Sequence, residues 1–241
     1  MAAPDRPLSP AQAELTNALA RVLRLHAMRS ADPALADALD RLSAWQARRL
    51  RNTYADLADD PRYVGAIEFF QNDLYGGDFA QRDADLARVV PVMGRLLPQS
   101  VIFTVARAVE LNALAHELDC ALIVHLPDVA ATIAVPDYCR AYRATGEPTL
   151  RARQIALIGE VGNALDKFVR KPMIHTALAI MRKPAHAAGL GALQDFLERG
   201  VDAFRRMKGA REFLATVDAR ERRINDAIFA GDDAPFAAPW R

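Results

Sequence analysis

The fold is decided by one stretch of the chain, DPRYVGAIEFFQNDLYGGDFAQRDADL, which runs from Asp60 to Leu86. Asp60 directly precedes Pro61, a pairing of capping side chain and proline that is typical of a helix start. Gly76 stands where the end of that helix is expected, and Asp78 opens a second capping pattern. The stretch therefore predicts two helices joined by a short junction.

Helical signals of the same kind recur along the rest of the chain. Ser9-Pro10 and Asp32-Pro33 predict two further helix starts, and no segment alternates apolar and polar residues for long, as a strand would. Further apolar stripes at helical spacing predict helices at 100–125, 136–144, 150–170, 193–208 and 213–228. We therefore expect an all-α protein, a single-domain multi-helix bundle of about eight to ten helices. The helical domain is expected at 9–231, between a disordered N-terminal tail at 1–8 and a C-terminal tail at 232–241.

The composition excludes several functional classes. Lysine and arginine (31) balance aspartate and glutamate (30), so a general attraction to nucleic acid is not expected. Cys120 and Cys139 lie too far apart for a zinc motif or a redox dithiol. The N-terminus lacks a signal-peptide pattern, and no apolar run is long enough for a membrane span. We expect a cytoplasmic protein that binds neither nucleic acid nor membrane.

Charge is distributed unevenly along the chain. Residues 54–90 contain eight acids and three arginines, whereas residues 140–183 contain nine basic residues and three acids. Two interpretations remain open for this pattern. Either the two surfaces face one another, within the fold or across a homodimer, or the basic segment 140–183 binds a protein partner or an anionic ligand.

Most polar residues of the central stretch have a structural use. Asp83 and Asp85 fall near the positive end of the second helix, where acids are favourable. Arg82 is expected to pair with Asp78 or Asp85 at the surface. Asp73, Tyr75 and Arg82 remain as candidates for ligand binding.

A second group of candidates lies on the helix predicted at 100–125. Glu110 and Glu117 share one face, which is the arrangement that carboxylate-bridged metal sites in helical bundles use. His116, however, projects about 100° away from Glu117, and no Glu-x-x-His pair occurs in the chain. We keep Glu110 and Glu117 as candidate ligand-binding residues and assign no metal ligand. His26 has no acidic partner at a meaningful spacing and is interpreted as a structural histidine.

Several motifs carry a resemblance to a known family. They are Thr53-Tyr54-Ala55-Asp56-Leu57, Phe69-Phe70, Asp73-Leu74-Tyr75-Gly76, Asp78-Phe79, Arg82-Asp83 with Asp85-Leu86, and Met207 with Gly209-Ala210. Together they resemble a family of uncharacterised helical proteins from proteobacteria, over residues 45–229. The resemblance implies an all-helical domain of unknown function, without an established activity, cofactor or catalytic residue.

Two functional hypotheses follow. The first is a non-catalytic binding or protein-interaction module, for which we assign no catalytic residue and no cofactor. The alternative is a helical-bundle enzyme or ligand carrier, ferritin-like or heme-oxygenase-like and dependent on a metal or heme. Its pocket would lie near residues 68–85 and 110–117. The order of His26 and the glycine pair after Tyr75 is similar to that of heme oxygenases, although the separation differs.

Overall fold

Three helices begin at the dipeptides that predicted them. The computed structural model describes residues 8–70, 80–96, 98–127 and 132–237. Ser9 Oγ accepts a hydrogen bond from the backbone of Gln12 at 3.3 Å, and the Gln12 side chain accepts one from the backbone of Ser9 at 2.9 Å. Asp32 accepts from two backbone N–H groups of the following turn at 3.0 and 3.1 Å, and Asp60 accepts from the backbone of Arg62 at 2.9 Å. Local capping therefore fixes these starts, as the sequence predicted.

The described part of the chain contains ten α-helices, a short 3₁₀ turn and no strand. The helices are α1 (Pro10–Ala31), α2 (Pro33–Thr53), α3 (Pro61–Phe69), α4 (Ala80–Leu96), α5 (Gln99–Ile123), α6 (Val135–Thr145), α7 (Pro148–Val169), α8 (Pro172–Ala187), α9 (Gly191–Arg206) and α10 (Arg211–Phe229), with the 3₁₀ turn at Leu57–Asp59. The prediction of an all-α multi-helix single domain is confirmed. None of the described helices combines the length and the apolar character that crossing a membrane requires.

The longest helix-to-helix contact joins α1 to α5. Leu15, Leu19 and Val22 on α1 pack against Ile102 and Val109 on α5. The α1 residues recur at three- and four-residue spacing, so one face of the helix is buried and the other carries the polar side chains. This pair of helices forms the frame on which α4 is placed.

Two further clusters fill the rest of the core. In one, Trp45 of α2 stacks on Tyr138 of α6 with ring centroids 4.1 Å apart, and Ile228 of α10 packs beside them. In the other, Tyr63 of α3 lies 5.4 Å from the ring of Phe213 of α10. The helix α10 therefore contributes residues to both clusters and connects them.

The approach of α7 to α10 depends on a glycine. A Cβ atom at Gly162 would lie 2.5 Å from Cδ2 of Leu214, closer than carbon atoms can pack. Gly162 and Leu214 are both buried. The absence of a side chain at this position therefore sets the distance between the two helices.

One described helix was not predicted from the sequence. The sequence predicted no helix between 171 and 187, where α8 lies. Its start, Lys171-Pro172, has no capping hydrogen bond from a side chain, so the strongest local signal is missing.

Candidate functional site

The candidate residues of the central stretch fall into two groups. Asp73 and Tyr75 lie outside the described residues, as does the junction from 71 to 79. Arg82 lies in the first turn of α4, and its guanidinium is mostly buried, with 12% of the side chain exposed. The prediction paired Arg82 with Asp78 or Asp85; Asp78 lies outside the described residues, and no described ion pair joins Arg82 to Asp85. Within the described residues, Arg82 Nε donates to Oδ1 of its neighbour Asp83 at 2.9 Å.

Asp83 is the centre of a buried polar cluster that joins three helices. Its Oδ2 accepts from Nε2 of His26 on α1 at 2.9 Å and from Nδ2 of Asn112 on α5 at 3.0 Å. Only 5% of the Asp83 side chain is exposed. We call Arg82, Asp83, His26, Asn112 and His116 the Asp83 cluster. His26 is therefore a hydrogen-bonded histidine of the fold, but no spacing in the sequence predicted its acidic partner 57 residues away.

The electrostatics of the cluster favour an ionised Asp83. Burial alone would raise the pKa of Asp83, but the hydrogen bond from His26 and the charge of Arg82 outweigh it and hold the pKa below its usual range. With three donors aimed at its two oxygens, the carboxylate is well satisfied. The main role of Asp83 is therefore to link α1, α4 and α5 through its hydrogen bonds.

His116 completes the cluster on the side of α5. Its ring meets that of His26 edge to face, with centroids 5.8 Å apart. Burial, followed by the neighbouring His26, lowers the pKa of His116 from 6.5 to about 4. The imidazole is consequently neutral at pH 7 and presents one donor and one acceptor nitrogen. Two histidines in edge-to-face contact beside a carboxylate are capable of holding a proton.

A second acid of the same helix is buried more deeply. Asp85 has no exposed surface, and its Oδ1 accepts from Nε2 of Gln81 at 2.7 Å. Its Oδ2 is buried and has no hydrogen-bond partner in the described part of the chain. Arg88 Nη1 lies 3.8 Å from Oδ1 of Asp85 and donates to the carbonyl oxygen of Gly189, just before α9. Asp83 and Asp85, which were expected near the positive end of this helix, are therefore both buried.

Glu110 and Glu117 are engaged in ion pairs. Glu117 receives Nε and Nη2 of Arg21 at 2.9 and 2.5 Å, a two-pronged pair between α5 and α1. Glu110 receives Arg107 at 2.6 Å and Arg153 of α7 at 3.1 Å. Both carboxylates are therefore used to fasten α5 to its neighbours. Among the described residues, no group of three histidine, cysteine or acidic side chains is arranged to hold a metal ion.

Apolar side chains of the basic segment 140–183 and of the acidic segment 54–90 share one core cluster, in which Val169 packs with Tyr63 and Ala66. In the described part of the chain, the arginines of the basic segment pair with nearby acids, as Arg153 does with Glu110 and Arg182 with Glu198. No described ion pair joins the two segments.

The most exposed apolar surface in the described part of the chain is on α8. Met173, Ile180 and Met181 are 81%, 68% and 51% exposed. Together with Ala177 and Pro184 they follow one side of the helix, and we call this set the α8 stripe. The opposite side is held against α9, where Gln194 Nε2 donates to the carbonyl oxygen of Leu178 at 2.9 Å. The helix is thus fixed to the fold while its apolar side faces solvent.

Comparison with known proteins identifies a family and no more. No curated protein and no solved structure matches the chain. A family model described as a domain of unknown function (DUF8198) matches residues 25–235, which include every described helix except the first part of α1. The match takes in the Asp83 cluster and the α8 stripe. On this evidence the chain belongs to the DUF8198 family.

Proposed function

We propose that this protein is a non-catalytic interaction module that binds an acidic, amphipathic helix of another protein along the α8 stripe. The single observation that carries the proposal is the row of exposed apolar side chains on a helix that is otherwise fixed to α9. Single exposed apolar residues are common, but a continuous row of them favours a binding surface. From Met173 to Pro184 the row is about 17 Å long, which matches three turns of a docked helix.

The side-chain chemistry of the stripe supports a peptide as the occupant. Two of its exposed residues, Met173 and Met181, are unbranched thioethers, which adapt to the shape of a partner's apolar face. Aromatic anchors, which membrane-surface helices commonly carry, are not present in α8. An amphipathic helix laid in a shallow apolar groove is a recurrent mode of peptide recognition.

The charges at the two ends of the stripe favour an acidic partner. Lys171 precedes Met173, and Lys183 follows Met181, and neither ammonium group forms an ion pair in the described part of the chain. By contrast, Arg182 is occupied by Glu198 at 2.6 Å. Lys171 lies over the Phe168 ring at 5.4 Å, but neither lysine is neutralised by a described acid. Two such cations beside an apolar row attract glutamate or aspartate flanking the partner's apolar face.

The same charges disfavour a second copy of this chain as the occupant. In a symmetric dimer that packs α8 against α8 in antiparallel orientation, Lys171 would lie beside Lys183 of the other copy. Like charges brought together at an interface oppose association. A partner with a different sequence is therefore favoured over the homodimer.

A synthetic peptide tests the proposal directly. The probe is a fluorescein-labelled helical peptide with leucines along one face and glutamates at both ends, and a second peptide carries lysines in place of the glutamates. Fluorescence anisotropy should show binding of the acidic peptide only. Ile180→Glu and Met181→Glu should each weaken it by about tenfold or more, because an apolar side chain is lost and a like charge is added.

A matched control separates the stripe from a general effect of the substitution. Met28 on α1 is 53% exposed, close to the 51% of Met181, so Met28→Glu should leave binding unchanged. Equal binding of both peptides, or equal loss in Met28→Glu and Met181→Glu, would overturn the proposal. So would light scattering that shows a dimer which Ile180→Glu dissociates, or binding to anionic vesicles that Ile180→Glu abolishes.

A further inference from the structure

A cleft lies between α2, the start of α6 and the segment after α10, and it shares no residue with the Asp83 cluster. Its volume is about 450 Å³, within the range of small-molecule sites. The cleft is lined by the second half of α2, by the first residue of α6 and by the segment that follows α10. The lining side chains used below are Trp45, Arg48, Arg49, Asn52 and Phe236, and we call the space between them the Trp45 cleft.

The walls of the cleft are aromatic and held in place. Phe236 meets Trp45 edge to face with ring centroids 5.9 Å apart. Trp45 in turn is stacked on Tyr138 at 4.1 Å. The guanidinium carbon of Arg49 lies 5.5 Å from the centre of the Phe236 ring. A flat ring entering this space would meet ring edges and faces that are already fixed, so little ordering is required on binding.

The charge of the cleft is positive. Arg49 is neutralised by Glu221, whose two oxygens accept from it at 2.5 and 3.1 Å. Arg48 is exposed, and its guanidinium forms no ion pair or hydrogen bond in the described part of the chain. None of the described residues that line the cleft is acidic. One full positive charge is therefore uncompensated at the cleft, with the amide of Asn52 one turn further along α2.

We infer that the Trp45 cleft binds a small aromatic anion, with its ring against Trp45 and Phe236 and its carboxylate or phosphate on Arg48. The aromatic walls select the flat body of the ligand, and Arg48 selects the charge. Guanidinium groups pair with both kinds of oxyanion through two parallel hydrogen bonds, so the two head groups share this chemistry. The site is separate from the α8 stripe and does not depend on the function proposed above.

Three ligands with one aromatic body test the inference on the full chain. The probes are 1-naphthoate, 1-naphthyl phosphate and the neutral 1-naphthalenemethanol, each titrated by calorimetry. At least one of the anions should bind, and about tenfold more tightly than the alcohol. A preference between the two anions identifies the head group.

Substitutions of lining residues test whether the ligands bind in the Trp45 cleft. Arg48→Gln should weaken the anions by about tenfold and leave the alcohol unchanged, while Arg48→Lys keeps most of the affinity. Arg51→Gln is the matched control, since Arg51 is an exposed arginine on the same helix that does not line the cleft. Phe236→Leu should weaken all three ligands. The inference is overturned if neither anion binds, if the alcohol binds as tightly, or if Arg48→Gln and Arg51→Gln have the same effect.

Discussion

Replacing Asp83 with asparagine should destabilise the protein by about 3 kcal/mol. The carboxylate accepts three hydrogen bonds, from His26, Asn112 and Arg82, and only 5% of its side chain is exposed. Removing one partner of a buried charge pair costs about 3–5 kcal/mol. Asparagine keeps one acceptor oxygen but turns an NH₂ group toward a donor, which places the expected cost near the lower end of that range.

Urea unfolding at pH 7, followed by circular dichroism, measures this cost. The corresponding fall in the melting temperature is about 6–12 °C for a chain of this size. Asp40→Asn is the control, because Asp40 is 58% exposed and its pair with Arg29 should contribute less than about 1 kcal/mol. If Asp83→Asn costs no more than Asp40→Asn, the Asp83 cluster does not tie the three helices together.

The effect of Asp83→Asn should also depend on pH in one direction. The pKa of Asp83 is held below its usual range in the folded protein, so its stabilising effect is complete above the unfolded pKa of about 3.9. It is lost as the pH falls through the folded pKa. The difference in the free energy of unfolding between wild type and variant should therefore shrink below about pH 4. A difference that grows in acid would contradict the assignment of an ionised Asp83.

Three further predictions concern other parts of the fold. Gly162→Ala should destabilise by about 1–3 kcal/mol because its Cβ would lie 2.5 Å from Leu214, whereas Gly159→Ala, with nothing within 4 Å, should stabilise by about 0.5–1 kcal/mol. Asp119→Asn should stabilise the protein at pH 7, because burial raises the pKa of Asp119 to about 6. The folded state then holds a proton that the unfolded state has lost, so wild-type stability falls from about pH 4 to 6, and this slope should be smaller in the variant. Asp32→Ala should cost about 1 kcal/mol, since two backbone donors of α2 lose their acceptor.

Chemical denaturation measures each of these changes. Equal effects of Gly162→Ala and Gly159→Ala would contradict the close approach of α7 and α10. For Asp119→Asn, an unchanged slope between pH 4 and 6 would show that this carboxyl does not titrate there. For Asp32→Ala, the loss should match that of Ser9→Ala, because both residues cap a helix that begins with proline.

The parts of the fold that could be predicted are those set by neighbouring residues. Ser9, Asp32 and Asp60 each cap the helix that follows directly, so a dipeptide was enough to locate the start. The pairing of His26 with Asp83 spans 57 residues and depends on how α1 packs on α4, which no local pattern encodes. For the same reason, the burial of Asp85 was not foreseen.

The helix α8 was missed for a different reason. Apolar residues occur on both of its sides, since Leu178 faces α9 while Met173 and Ile180 face solvent. The sequence pattern that predicts a helix is a single apolar side opposite a polar one, and the apolar residues of α8 are spread over two sides. The signal that would have found it is the proline at the expected first helical position, Pro172, followed by the apolar run from Ala177 to Met181.

The position of Phe236 has a consequence for how the chain folds during synthesis. The contact of α1 with α5 needs no residue beyond Ala113 and is available early. The cluster around Trp45 needs Ile228 of α10 and Phe236, which are made last. At about 5–20 residues per second, roughly 6–25 s separate the synthesis of Ala113 from that of Phe236. Tyr138 is available to Trp45 within that interval, but the side of Trp45 that Phe236 covers stays open until the end of synthesis, and we expect chaperones to bind the emerging polypeptide there.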